Sequence, residues 1–397
     1  MGNLFVCTSA EETEICQKGL KVTEVLQRKM DMINFEEMPK NRYDQEILSG
    51  FNIVREIGFG LFSRVYLART DCLQCVAIKI VNKKDFARKE SIQKMVVERE
   101  LLKLLKHRNV LRLIRTAQSH KRLYFFLEFC PYGNIRQLAK LRSLRLSQLR
   151  VIAAQIIDAL CYIHSEGIIY GDLKAENILL DIKGEIKLCD FNLSGTFKTL
   201  HNKVQGTMSY ISPEIIEGRP HTHKSDFWAL GILLYFLYYG VLPFPESCKI
   251  DLFDRITEGT LPEEPYDRKA PDCFKELLED LLSLDPSKRP STKQAFSKHS
   301  FFAGFDWEGF RDVPNAFDYI LDLTVIDISS VQEFERSNLN ADLLHLSPEK
   351  QSERFVIEGF TFEDEILRLA NFNLEKEDNV KIIREDKTSS ERAVSDT

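Results

Sequence analysis

Near residue 131 the patterning of the chain changes from strand-like to helical, and few folds accommodate that order. Phe51 to Arg69 and Cys75 to Val81 alternate or run apolar and are rich in β-branched residues, which reads as strands. Ser91 to Lys106 interrupts them with Val97, Leu101, Leu104 and Leu105 at helical spacing, and two further apolar strands follow near Leu111–Thr116 and Leu123–Phe129. After Pro131-Tyr132-Gly133 the pattern is mostly helical, with Leu146 to His164 the clearest helix. The expectation is an α+β chain of two lobes, a small β-rich one over 51–128 and a larger helical one over 131–302, hinged near Glu128–Pro131. Residues 1–50 read as a polar N-terminal extension in which Val22, Val25, Leu26 and Met30 have the spacing of a short amphipathic helix. Residues 303–397 read as a tail with scattered aromatics and an end, from Glu385, expected to be disordered.

Composition narrows the functional classes. Apolar residues make up 44% of the 397, enough for a sizeable core. A net charge of −6 argues against a nucleic-acid binder. The nine cysteines form no even framework, and Cys72-x-x-Cys75 has no second pair to complete a zinc site, so free thiols in a reducing, cytoplasmic setting are expected. The longest apolar run, Trp228 to Phe244, is broken by Gly231 and Gly240 and reads as a buried helix.

Four segments carry chemistry. Ile57-Gly58-Phe59-Gly60-Leu61-Phe62-Ser63-Arg64-Val65 lies between two strands, where glycines let backbone N–H groups approach phosphate oxygens. One strand later comes Val76-Ala77-Ile78-Lys79. An ammonium in an apolar strand needs a partner, and Glu98 on the next helix can supply it. Tyr170-Gly171-Asp172-Leu173-Lys174-Ala175-Glu176-Asn177 follows the long helix, and Leu188-Cys189-Asp190-Phe191-Asn192 follows that. Asp172 can orient an attacking hydroxyl and accept its proton, Lys174 can neutralise a moving phosphoryl group, and Asn177 and Asp190 offer the hard oxygen ligands that Mg²⁺ prefers.

In this order the segments closely resemble the protein kinase family over residues 51–302. The resemblance implies a two-lobed kinase fold that transfers the γ-phosphate of Mg-ATP to protein substrates. It places the phosphates under Gly58–Ser63, flanked by Ile57 and Val65. It also implies Ala77 and a gatekeeper Leu127 around the adenine, hinge contacts at Glu128 to Cys130, and a Lys79–Glu98 pair. Asp172 and Lys174 are then catalytic, and Asn177 and Asp190 hold magnesium. Ser212-Pro213-Glu214 stands for the family's Ala-Pro-Glu, with Arg289 the expected buried partner of Glu214, and Asp226 to Gly231 matches the segment anchoring the large lobe. Lys174 and Gly206-Thr207 resemble the serine/threonine branch, in which Thr207 contacts Asp172 and Lys174.

The tail segment Ile357-Glu358-Gly359-Phe360-Thr361-Phe362 resembles the hydrophobic motif of AGC kinases, especially the ribosomal protein S-six kinase and related branch, although its first aromatic is Ile357 here. Ser347-Pro348 resembles the turn-motif phosphosite. An upstream kinase acting on Ser347 and Thr361 is the partner this implies. Gly2 is a candidate for myristoylation and Cys7 for palmitoylation, which together would bring the chain to a membrane surface; Val6 stands where the myristoylation pattern has Ser or Thr.

Three positions depart from the family. Ser63 replaces the third loop glycine, Gly171 the arginine before the catalytic aspartate, and Asn192 the glycine after Asp190-Phe191. Asparagine tolerates left-handed backbone, so an active conformation is expected at Asn192. Lys203 stands at the usual activation-loop phosphosite, so both halves of the phospho-switch are missing and control is expected to pass to the tail. The positions that select basic substrates in AGC kinases hold Asn134 and Phe236, with Glu176 retained, so a strict arginine preference does not follow. The same departures leave a second reading, a scaffold with a kinase fold and little catalysis.

Overall fold

The computed structural model describes residues 44–60, 63–85, 89–119, 121–141, 144–200, 206–220, 222–244, 249–262, 269–311 and 362–363. Gly2, Cys7, Leu61, Phe62, Lys203, Ser347, Thr361, the segment 22–30 and the end from Glu385 lie outside them. By internal contacts the chain forms two units, Met1–Phe362 and Glu363–Thr397, and every described residue but Glu363 belongs to the first.

A short helix α1 (Asp44–Ile47) leads into strands β1 (Phe51–Phe59), β2 (Ser63–Thr70) and β3 (Cys75–Asn82), then helix α2 (Lys89–Leu104), β4 (Leu113–Gln118) and β5 (Arg122–Glu128). The strands form an antiparallel sheet in the order β1-β2-β3-β5-β4, with the two-residue strand β10 (Phe362–Glu363) beyond β4. Strand β4 begins two residues later than its apolar run suggests. The preceding residues are taken by the large lobe, where Leu111 N–H donates to Leu188 O (2.9 Å) and Leu188 N–H to Asn109 O (2.8 Å). That stitch ties the lobes together beside the hinge.

The helical lobe contains α3 (Ile135–Leu141), α4 (Leu146–Ser165), α5 (Phe197–Leu200), α6 (Pro213–Ile216), α7 (Lys224–Tyr239), α8 (Lys249–Glu258), α9 (Asp272–Leu281) and α10 (Lys293–Ser297). Short strands β6 (Ile168–Ile169), β7 (Ile178–Leu180), β8 (Ile186–Leu188) and β9 (Gly195–Thr196) pair β6 with β9 and β7 with β8, and they carry the loops of interest on their ends. Helix α7 is apolar on every side, as a helix at the centre of a lobe must be, and residues 225–238 of it are buried. Helix α4 is long and apolar enough to cross a membrane by composition, and its Leu149, Ile152, Ile156, Ile157 and Leu160 are fully buried in the core.

Two buried polar contacts brace this frame. Arg289 meets Glu214 through paired hydrogen bonds, Nη1 to Oε1 at 2.7 Å and Nη2 to Oε2 at 2.8 Å, with both side chains out of solvent. Its guanidinium also lies 5.1 Å from the centre of the Trp228 ring. Burial opposes ionisation of Glu214, but the hydrogen bonds and charge of Arg289 outweigh it and hold the carboxyl below its ordinary range. At the other end of the molecule α1 is seated on the sheet. Ile47 is buried, Tyr124 Oη donates to Asp44 Oδ1 at 2.6 Å, and Arg122 bonds the other oxygen of Asp44. The packing therefore reaches back at least to Asp44, within the stretch that reads as a polar extension.

Candidate active site

Lys79 sits on β3, whose neighbours β2 and β5 place Val65 and Phe125 opposite it. Its Nζ donates to Glu98 Oε1 on α2 at 2.6 Å and lies 5.7 Å from the centre of the Phe125 ring. Burial works to lower the lysine pKa, but the carboxylates of Glu98 and Asp190 overcome it and raise the value, so the ammonium is retained. The loop above closes through Gly60 N–H donating to Ser63 O at 2.7 Å, so Ser63 contributes its backbone where the family has glycine. Phe59 at the loop is 86% exposed. Ala77 pairs with Leu127 in the sheet, and both are buried, as is Cys130. Glu128 Oε1 accepts from Arg112 N–H at 2.7 Å, which fixes the start of the hinge. Burial pushes the Cys130 and Cys189 thiols well up, so both stay protonated beside this cleft.

The second half of the site is a loop between β6 and β7. Asp172 is buried, and four donors converge on its carboxylate. Lys174 Nζ (2.6 Å) and Asn177 Nδ2 (2.9 Å) reach Oδ2, and Thr207 Oγ1 (2.9 Å) and N–H (3.2 Å) reach Oδ1. Lys174 also donates to Thr207 Oγ1 at 2.8 Å. The loop is held from below by Asp226 at the start of α7. Its carboxylate accepts Tyr170 N–H (2.9 Å) and Gly171 N–H (2.8 Å) and meets His164 Nε2 at 2.7 Å. Asp190 stands at φ 59, in the left-handed region that non-glycine residues avoid, and its buried Oδ1 has no hydrogen-bond partner among the described residues. Asn192 is not in that region; the strained residue is Asp190, so the tolerance of asparagine for left-handed backbone is not what permits this conformation. Phe191 packs edge-on to Tyr170 at 5.1 Å, and the Tyr170 hydroxyl donates to Cys189 O.

Gly171 also has a local reason. Its φ is +80, and a Cβ there would lie 2.9 Å from Leu193 O, a backbone atom that cannot swing away. Gly171→Ala is expected to cost about 1–2 kcal/mol from the left-handed backbone alone. It should also loosen the Asp226 hydrogen bond that positions Asp172. Chemical denaturation of wild type and variant measures the first effect; equal midpoints would refute it.

Of the residues singled out in the sequence, the structure brings together Lys79 with Glu98, Asp172 with Lys174, Asn177 and Thr207, and Glu214 with Arg289. Glu176 has a different partner, Arg136, an ion pair with no spacing signal to announce it. The support of Asp172 by Asp226 and His164 is likewise visible only in three dimensions.

A cradled ammonium on one lobe and a pinned carboxylate with two oxygen-bearing neighbours on the other are groups of the kind that bind phosphate and divalent metal. Residues 51–302 match the protein kinase domain, and the chain belongs to the protein kinase family. It is 35% identical over 273 residues to serine/threonine-protein kinase Sgk1 of Gallus gallus, covering 66% of this chain and 62% of that protein. It is 34% identical over 277 residues to protein kinase 3 of Dictyostelium discoideum, covering 66% of this chain and 30% of that one. It is 32% identical over 273 residues to serine/threonine-protein kinase AtPK2/AtPK19 of Arabidopsis thaliana, covering 66% and 56%. The matched region spans less than two thirds of the length of each of these relatives.

Proposed function

We propose that this chain is an ATP-dependent protein serine/threonine kinase of the AGC group. The observation that carries the reading is the closed network on Asp172, in which Lys174 and Thr207 hold one carboxylate ready to receive a substrate hydroxyl proton. Asp172 accepts that proton, and Lys174, bonded to both Asp172 and Thr207, is fixed where negative charge develops. Lys79, kept charged by Glu98, positions the phosphates of ATP beneath the Gly58–Gly60 turn. The unsatisfied Asp190 Oδ1 and the Asn177 carboxamide oxygen are the donor types magnesium takes, so these residues fit the metal and would hold it. Held by Asn177 and Asp190, the metal would screen the charge of the phosphates. The serine/threonine assignment is supported by the Lys174–Thr207 hydrogen bond and by similarity to the serine/threonine-protein kinases Sgk1 and AtPK2/AtPK19.

The test is transfer of labelled phosphate from Mg-ATP to a degenerate Ser/Thr peptide library. Lys79→Met removes the cation but keeps an unbranched apolar stem, so transfer should fall at least about 10²-fold, the usual effect of deleting one preorganised charge contact to a reacting group. Equal transfer by wild type and variant, or none by wild type, would refute the reading.

Tail control through Ser347 and Thr361 belongs to the same proposal, as do protein substrates, an upstream kinase for the tail, and membrane recruitment through Gly2 and Cys7. The support for these is sequence resemblance.

A further inference from the structure

The rim of the catalytic loop carries an ion pair that phosphoryl transfer does not use. Glu176 lies in the turn between Lys174 and Asn177, and its Oε1 accepts from Arg136 Nη1 on α3. The two side chains are 36% and 41% exposed, so they face the solvent from which a substrate arrives. The guanidinium of Arg136 is also 5.9 Å from the centre of the Phe236 ring, which lies buried on α7. Arg136 is thus held from two sides, by a carboxylate and by an aromatic face.

The position that carries an acid in basophilic kinases of this group is Asn134 here. Asn134 is consumed by capping α3: its Oδ1 accepts Gln137 N–H at 3.1 Å, while its own N–H donates to Gln137 Oε1 at 3.3 Å. The second oxygen of Glu176 is buried, so the oxygen open to solvent is the one that Arg136 covers. Burial and the Glu176 charge both push the adjacent Tyr210 phenol up, which keeps it a neutral neighbour.

A peptide that delivers its hydroxyl to Asp172 lies extended across this surface, advancing about 3.3 Å per residue. One of its flanking residues therefore meets the Arg136–Glu176 pair. A basic residue there must displace a guanidinium already tethered to the same carboxylate, at an effective concentration that free peptide cannot match, and it also meets a like charge. A carboxylate there meets the exposed donors of Arg136. Resting on the kinase reading above, we infer that Arg136, by occupying Glu176 and stacking on Phe236, selects against substrates with arginine or lysine at that flanking position and favours those with aspartate or glutamate.

A positional Ser/Thr peptide array tests this, with wild type, Arg136→Gln and the charge reversal Arg136→Glu assayed in parallel. Both substitutions fall on an exposed side chain, and two variants guard against one failing to fold. At one flanking position wild type should transfer phosphate about three- to tenfold better to Glu than to Arg, the scale of an exposed charge contact plus a like-charge penalty. Arg136→Gln should flatten or invert that ratio, and Arg136→Glu should invert it. Wild-type transfer with an arginine preference, or a ratio unchanged in both variants, would overturn the inference while leaving the kinase reading intact. No transfer to any peptide, with no autophosphorylation, would overturn both.

Discussion

Asp172→Asn is expected to lower the phosphoryl-transfer rate by about 10²–10⁴-fold, the range for loss of a positioned general base. The structure explains why an isosteric change does so much. Both oxygens of Asp172 are occupied by donors, Lys174 and Asn177 on Oδ2 and Thr207 on Oδ1. A carboxamide offers one acceptor, so its NH₂ must face either Lys174 and Asn177 or Thr207, donor against donor. The variant loses the base and also misplaces Lys174, whose other bond is to Thr207. Nucleotide affinity should change little, because Lys79 and Glu98 on the opposite lobe are untouched. Single-turnover kinetics and nucleotide titration separate the two effects. Transfer retained within about threefold of wild type would remove Asp172 from the chemistry.

The largest stability effect is expected at Arg289. Arg289→Leu leaves the Glu214 carboxylate buried without its guanidinium, a loss of about 3–5 kcal/mol for breaking one side of such a pair. At roughly 2–4 °C per kcal/mol for a chain of this size, Tm should fall by on the order of 10 °C. The double variant Glu214→Leu with Arg289→Leu should recover much of this, since an apolar pair of similar shape strands no charge. Acid should mimic the single variant. Glu214 has its pKa below the ordinary glutamate value in the folded state, so its contribution is full above the unfolded value of 4.5 and is lost as pH falls through the depressed one. Calorimetric scans of the three proteins at neutral pH, repeated at acid pH, check both statements. A double variant as unstable as the single one would mean that lost packing on Trp228, rather than stranded charge, carries the effect.

The parts of the site legible in sequence share a cause. Asp172, Lys174 and Asn177 lie within one loop, and Lys79 and Glu98 on consecutive elements, so their spacing survives into the fold almost unchanged. Periodicity located β1, β2, β3, α2 and α4 because each presents an apolar face or run. The ends of β4 are less visible, because the backbone of Asn109 and Leu111 is bonded to Leu188 of β8, and an apolar run does not say which neighbour it will pair with. Ion pairs outside the recognised motifs are the least legible. Arg136 and Glu176 are forty positions apart and each looks like an ordinary solvated side chain. Asp44 and Arg122, on opposite sides of the small lobe's sequence, give no hint of each other. The resemblance to kinases pointed to Gly171 as a missing arginine; only the backbone shows a glycine conformation and a carbonyl in the way.

The seat of α1 on the sheet has a consequence for where this protein can be cut. The match to the protein kinase domain begins at residue 51, yet Tyr124 is fully buried and its hydroxyl donates to Asp44. A fragment starting at Phe51 would strip that acceptor from the phenol and the carboxylate from Arg122, and would uncover the floor on which Ile47 rests. Each buried polar group so abandoned costs about 1–3 kcal/mol. The matched domain and the packing of the small lobe therefore do not share a boundary in this chain: the packing reaches upstream of residue 51, at least to Asp44.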